Sequence, residues 1–221
     1  MSVNSQSIME RLRNETRGHH SHAEGSAYQQ ALSQGRLPRE TYARGLEQLL
    51  LVHGCLEGAL QEAMFKSQAV TGVVRDEQFQ CGNLRADLRC LGGLVEGTEP
   101  LPATDRIRRA IRSAAADEPT ALLGFHYVLE GSKNGGKFLA ESVARSYGLD
   151  NGQGTAYLNP HGEQQRQLWQ QFRTMMDGAD LTDQQRDGIV QAACAMFEAI
   201  TEIYDALYAD QLQSLEASVH G

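Results

Sequence analysis

Two stretches far apart in the chain hold the residue types needed to grip a flat, anionic, iron-bearing ligand: LRNETRGHHSHAE (Leu12 to Glu24) and HYVLEGSKNGGKFL (His126 to Leu139). Each residue of a helix turns about 100°, so Arg13, Arg17 and His20 fall within a sector of roughly 60° and point the same way. By the same arithmetic His19 lies near the face of Ile8, Leu12 and Ala23, and His22 points elsewhere. A neutral imidazole can ligate haem iron while arginines one or two turns away meet carboxylates. The same pattern equally describes an exposed polar helix face with a surface histidine cluster.

The second stretch places glycines inside an apolar helical pattern, and Gly131, Gly135 and Gly136 together would cost on the order of 3 kcal/mol relative to alanine in a helix. Gly131 and Gly135 are one turn apart, so in a bent helix they would strip one face and let backbone approach a planar ligand. The alternative is that Asn134, Gly135 and Gly136 form a helix end and turn. Lys133 and Lys137 either add positive charge at the ligand edge or form a solvated face. His161, beside Pro160, reads as a surface residue at a helix start.

The elements that must position these groups read as helices throughout. Ser7 and Glu10 have capping-box spacing, so a first helix is expected to run to about Glu24 with Gly25 as its stop. A short segment spans Tyr28 to Leu32. Pro38 then opens a long helix whose apolar stripe is Tyr42, Leu46, Leu49, Leu50, His53, Leu56 and Leu60. Residues 66 to 80 lack sustained periodicity, and weaker helices are read near 82 to 92 and 104 to 116 around the turn-rich EGTEPLP stretch. Pro119 starts an apolar helix through His126 and Glu130 whose period resumes at Phe138, Val143 and Tyr147, with Gly148 as its end. Asn159 and Pro160 suggest the N-cap and first turn of a helix through Trp169, Phe172 and Met176. Thr182 and Gln185 have capping-box spacing for a last helix with a core face of Ile189, Ala193, Met196, Phe197, Ile200, Tyr204 and Leu207. The expectation is an all-α, single-domain bundle of about seven to nine helices covering residues 1–221.

Composition bounds the partners. A formal net charge of -8 argues against general nucleic-acid binding, which needs a basic surface. Lysine occurs only at positions 66, 133 and 137, and the arginine excess suits bidentate carboxylate binding or reflects genomic bias. Cys55, Cys81, Cys90 and Cys194 form no CxxC pair and are expected to be reduced. The N-terminus has no basic stretch followed by an apolar run, and no eighteen-residue apolar run occurs, so a cytoplasmic protein without membrane partners is expected.

Over nearly its full length the chain resembles the haem oxygenase family. LRNETRGHHSHAE is similar to the family's proximal helix, which implies His20 as the axial iron ligand and Arg13 and Arg17 as its basic positions. HYVLEGSKNGGKFL is similar to the distal helix, whose glycines bend over the haem, which implies Gly131, Gly135 and Gly136 above the ring. WQQFRTMMDGADLTDQQR resembles the next family segment and implies Arg173 as a propionate contact. Lys137 joins these as a candidate contact at the haem edge.

Many members carry an aspartate just after the first distal glycine, where this chain has Ser132. VHGCLE with YVLEGSKNGG looks closer to the bacterial branch associated with bacteriophytochromes. In that branch His53, aligned with a distal tyrosine, is implied in the distal water network or is a core histidine. His126 likewise aligns with a distal-side tyrosine, and either contacts that network or packs beside it. The resemblance implies opening of haem, both cofactor and substrate, to biliverdin, carbon monoxide and ferrous iron. Oxygen and an external donor such as ferredoxin or another reductase system would be needed, with a bacteriophytochrome as a candidate downstream partner. The competing readings are a haem carrier or sensor without efficient turnover, a di-iron oxidase, which the lack of any Glu-x-x-His disfavours, and a cofactor-free interaction module.

Overall fold

The computed structural model describes residues 6–150 and 152–219. Among these residues there are ten α-helices and no strand. They are α1 (Ile8–Glu15), α2 (Arg17–Glu24), α3 (Ala27–Ser33), α4 (Arg39–Ala63), α5 (Gln68–Val73), α6 (Cys81–Leu91), α7 (Pro102–Asp117), α8 (Leu122–Tyr147), α9 (Gln165–Asp177) and α10 (Asp183–Val219). Short 3-10 turns occupy Asp76–Gln78, Pro119–Ala121 and Gly162–Gln164. No helix of the described residues is long and apolar enough to cross a membrane.

The core is built on the three long helices. α10 packs along α8, and α4 lies between α6 and α7 and also touches α8 and α10. Leu12, Val52, Leu60, Ile111, Leu122, Phe172 and Met196 are fully buried in one continuous cluster. The α8–α10 approach is close enough to demand glycine: a Cβ at Gly124 would lie 1.9 Å from the Ile189 carbonyl oxygen.

Local signals explain most helix ends. Ser7 and Glu10 form a reciprocal capping box, as do Thr182 and Gln185. Gly148 closes α8 in the left-handed region with φ of 63°, where a Cβ would be strained.

Several expectations are corrected. The first helix is interrupted at Thr16, whose hydroxyl donates to the Leu12 carbonyl at 2.7 Å. The segment from Asn159 to His161 is not helical; a 3-10 turn leads into α9 only at Gln165. Residues 66 to 80 contain α5 and a 3-10 turn. Asn134, Gly135 and Gly136 do not form a turn, because α8 runs through them unbroken. Phe138, expected on the apolar stripe, is 77% exposed, and Lys133 is buried rather than on a solvated face.

Candidate functional site

α2 and α8 each pack against α10 rather than on one another, and the candidate site is the space between the helix that carries His20 and the helix that carries the glycines. His20 is exposed and its ring meets Phe197 of α10 edge-on, with centroids 5.7 Å apart. Its Nδ1 lies 3.3 Å from Glu24 Oε2, one turn on. A carboxylate only accepts, so this approach favours the proton on Nδ1 and leaves Nε2 as the nitrogen to face a metal, the usual way an outer partner sets a ligating imidazole.

The α8 face supplies a complementary surface. A Cβ at Gly135 would meet nothing within 4 Å, and one at Gly131 would just touch the Trp169 ring at 3.4 Å. Phe138 lies two turns beyond Gly131 on the same face and is exposed. Gly136 differs: its Cβ would fall 1.7 Å from the Leu158 carbonyl oxygen, so packing against the 155–158 segment accounts for it.

Cations gather at one rim. Burial raises the Tyr127 phenol above its usual value, and the Thr16 hydroxyl, Arg173 and Arg13 pull it part of the way back. α1 and α9 therefore bring Arg13 and Arg173 to one tyrosine, beside the break at Thr16. Arg17 is exposed on α2. Lys137 is exposed and pairs with Glu163 at 2.6 Å.

Behind Ser132 runs a line of polar groups. The exposed Ser132 donates to the Leu129 carbonyl at 2.8 Å and lies beside the buried Tyr157 hydroxyl, where it offsets part of the rise that burial imposes on that phenol. Tyr157 stands 3.3 Å from His53 Nε2, and His53 Nδ1 stands 3.1 Å from Glu57 Oε1. Glu57 can only accept, so His53 Nδ1–H donates to it and Nε2 accepts from Tyr157. Burial lowers the His53 pKa despite its Glu57 partner, keeping the ring neutral. Burial would raise Glu57, but bonds from His53, Cys81 and Gln80 outweigh it and hold the carboxyl below its usual range. Asp87 fixes the other end by accepting the amides of Ala156 at 2.9 Å and Tyr157 at 2.8 Å.

His126 is a buried residue of α8. It is buried against Phe172 and donates from Nε2 to Gln78 Oε1 at 2.9 Å. Burial, with Lys133 next, pushes its pKa down to about 3. Lys133 donates to Glu130 at 2.6 Å and to the Gln78 carbonyl at 2.9 Å, so this cluster is a satisfied polar island in the core. His161 lies half-buried before the Gly162–Gln164 turn.

Sequence reasoning did not single out Glu24, Glu57, Tyr127 or Tyr157, and it placed Phe138 only on the apolar stripe. A signal existed for two: His20/Glu24 and His53/Glu57 share a four-residue spacing that places imidazole and carboxylate on one helix face. The tyrosines reach the site through contacts between distant segments and carried no local signal.

Among the described residues the protein is all-helical, with an exposed imidazole on α2 and an open glycine face beside an exposed phenylalanine on α8. A model of the family described as Heme oxygenase matches residues 6–206, and the chain belongs to that family, which makes it an oxidoreductase of haem breakdown. It is 24% identical over 203 residues to "Heme oxygenase 2" of Synechocystis sp., covering 89% of this chain and 81% of the relative. The haem oxygenase structure from Leptospira interrogans superposes with a TM-score of 0.84 at 25% identity, over 91% of this chain and 100% of that one. The haem complex of heme oxygenase-1 from Synechocystis sp. PCC 6803 superposes with a TM-score of 0.86 at 20% identity, over 97% and 98% of the two chains.

Proposed function

We propose that haem enters the α2–α8 cleft as substrate and leaves as biliverdin, carbon monoxide and ferrous iron, with oxygen and electrons supplied from outside. The observations that support this reading are the approach of His20 Nδ1 to Glu24 on α2 and the open backbone face at Gly135 on α8. His20 Nε2 is assigned to the iron, which when bound supplies the oxygen chemistry. Arg13 and Arg173, gathered at Tyr127, are assigned to the propionates, with Arg17 and Lys137 as further charges at the rim; this sets how the ring is rotated in the cleft. Gly131 and Gly135 let the ring approach backbone, and Phe138 covers its apolar face.

Ser132 is assigned to the distal side in place of an aspartate. Beside it stands Tyr157, which donates to His53, which in turn donates to Glu57. That line ends on an anion anchored by the amides of Gln80 and Cys81 at 2.6 and 3.1 Å. The bond to the Leu129 carbonyl takes the single Ser132 proton and leaves its lone pairs free to accept from water and so to position a proton. We assign no haem contact to His126, whose bond to Gln78 and burial account for it. We further propose that residues 1–221 act as one cytoplasmic domain, taking electrons from a ferredoxin or another reductase system and passing biliverdin to a bacteriophytochrome.

The test is an optical titration of the protein with hemin, followed by reductant under air with catalase present. Stoichiometric binding, loss of the Soret band and a biliverdin spectrum are expected. Binding without ring opening by any donor would make the protein a carrier. In His20→Ala the spectrum of a coordinated imidazole should vanish and return on adding free imidazole, while the apo protein still folds, since His20 is exposed and lies outside the core.

A further inference from the structure

A groove of about 720 Å³ runs along the outer face of α4, away from the α2–α8 cleft. α6 and α7 both pack on α4 and supply its walls, and residues 95–98 close it further. That volume lies in the range of small-molecule sites. The floor is bare backbone: Gly54 and Gly58 sit one turn apart in mid-helix, and a Cβ at either would meet nothing within 4 Å. Unlike Gly124 and Gly136, neither is required by packing within the chain, and alanine would favour the helix at both positions.

The walls carry Arg108 and Arg112 on successive turns of α7, Arg85 from α6 and Lys66 beyond the end of α4. None of these four forms an ion pair among the described residues, and Arg108 Nε is buried without a hydrogen-bond partner. A buried donor left unmet costs free energy that a bound acceptor would recover. Of the acids that line the groove, Glu47 is occupied by the Leu94 amide at 2.7 Å, while Glu62 and Glu96 are exposed. Leu50, Cys55, Ala59 and Ala115 make the remaining surface apolar.

We propose that this groove is a second binding site, for a small organic anion with a flat apolar body. The body lies on the Gly54–Gly58 floor, and its acid group meets Arg108 and Arg112. Nothing in this depends on the haem reading, since inward-facing His53 and Glu57 and outward-facing Gly54 and Gly58 occupy different faces of α4. The Cys55 thiol, which donates to the Arg108 carbonyl at 3.6 Å and is only partly buried, is a built-in reporter.

The test is a fluorescence titration of the full chain with 8-anilino-1-naphthalenesulfonate, with and without hemin. Gly58→Leu fills the floor from a position where a Cβ meets nothing within 4 Å, and Arg108→Gln with Arg112→Gln removes the charge. Single-site binding that hemin leaves unchanged is expected, weakened by about tenfold or more in either variant while circular dichroism and melting remain those of a folded protein. The probe should also slow alkylation of Cys55, followed by peptide mass spectrometry, in the parent but not in Gly58→Leu. Naphthalene-2-carboxylate and 1-naphthyl phosphate serve as competitors, and displacement by either supports the site and defines its acid group. Binding that ignores Gly58→Leu, loss of the probe to hemin, or failure of both competitors overturns it.

Discussion

A Cβ at Gly136 would sit 1.7 Å from the Leu158 carbonyl oxygen, whereas one at Gly135 would meet nothing within 4 Å. Adjacent glycines in one helix thus answer to different demands. Gly136→Ala must displace the 155–158 segment, which carries Tyr157 against His53, and should destabilise the apo protein by about 1–3 kcal/mol, the usual range for overpacking. Gly135→Ala should instead stabilise it by up to about 1 kcal/mol, the helix-propensity difference, yet weaken haem binding because the new methyl lies on the cleft face. Urea unfolding of both apo variants, followed by hemin titration, separates the two effects. A Gly135→Ala protein that bound haem as tightly as the parent would remove Gly135 from the cleft wall.

Among the elements, α2 is the least secured. It has no buried residue and no side-chain cap, whereas α1 has a capping box and buries Ile8, Met9 and Leu12. Its tertiary hold is on α10, through the His20–Phe197 ring contact and the approach of His19 to Glu198 at 3.6 Å. Few buried contacts mean a low free energy of local opening. Amides of 17–24 should therefore exchange faster than those of α1 and α8 in the apo protein, and haem should slow them selectively; mass-resolved hydrogen exchange checks this, and equal apo protection of α1 and α2 would refute it. The same contrast shows what the chain reveals on reading. The capping pairs Ser7/Glu10 and Thr182/Gln185 and the stop at Gly148 were legible because each acts within one turn. Asn159–Pro160 misled because Asp87, far away in sequence, holds the Ala156 and Tyr157 amides and so shapes that segment. The apolar period alone could not show that Phe138 stays uncovered on the glycine face, nor that Lys133 turns inward to Glu130. The helical spacing groups Arg13, Arg17 and His20 on reading, while the approach of Arg13 and of Arg173 from α9 to Tyr127 joins distant segments and left no local signal.

At the scale of the whole molecule, the core holds two histidines neutral, and this couples stability to pH. His126 has its pKa pushed down to about 3 by burial and by Lys133, and burial lowers His53 as well. The unfolded chain takes up protons at both near the ordinary value of about 6.5, but the folded protein does not. Their contribution is therefore complete above that pH and is lost as pH falls through the window toward the folded values. Glu57 acts in the same sense below the usual carboxylate range, since its folded pKa is depressed. Glu130, raised by burial, acts in the opposite sense. At pH 5 the penalty at His126 alone is on the order of 2 kcal/mol. Melting temperature should thus fall steadily from pH 7 to pH 5, well before general acid unfolding. His126→Gln keeps a donor within reach of Gln78 without a titrating ring, so its unfolding free energy should fall less steeply, by about one proton's worth of slope. Calorimetric melts of both proteins across that range decide the matter, because equal slopes would mean that His126 is protonated in the fold and that Gln78 and Glu130 accommodate its charge.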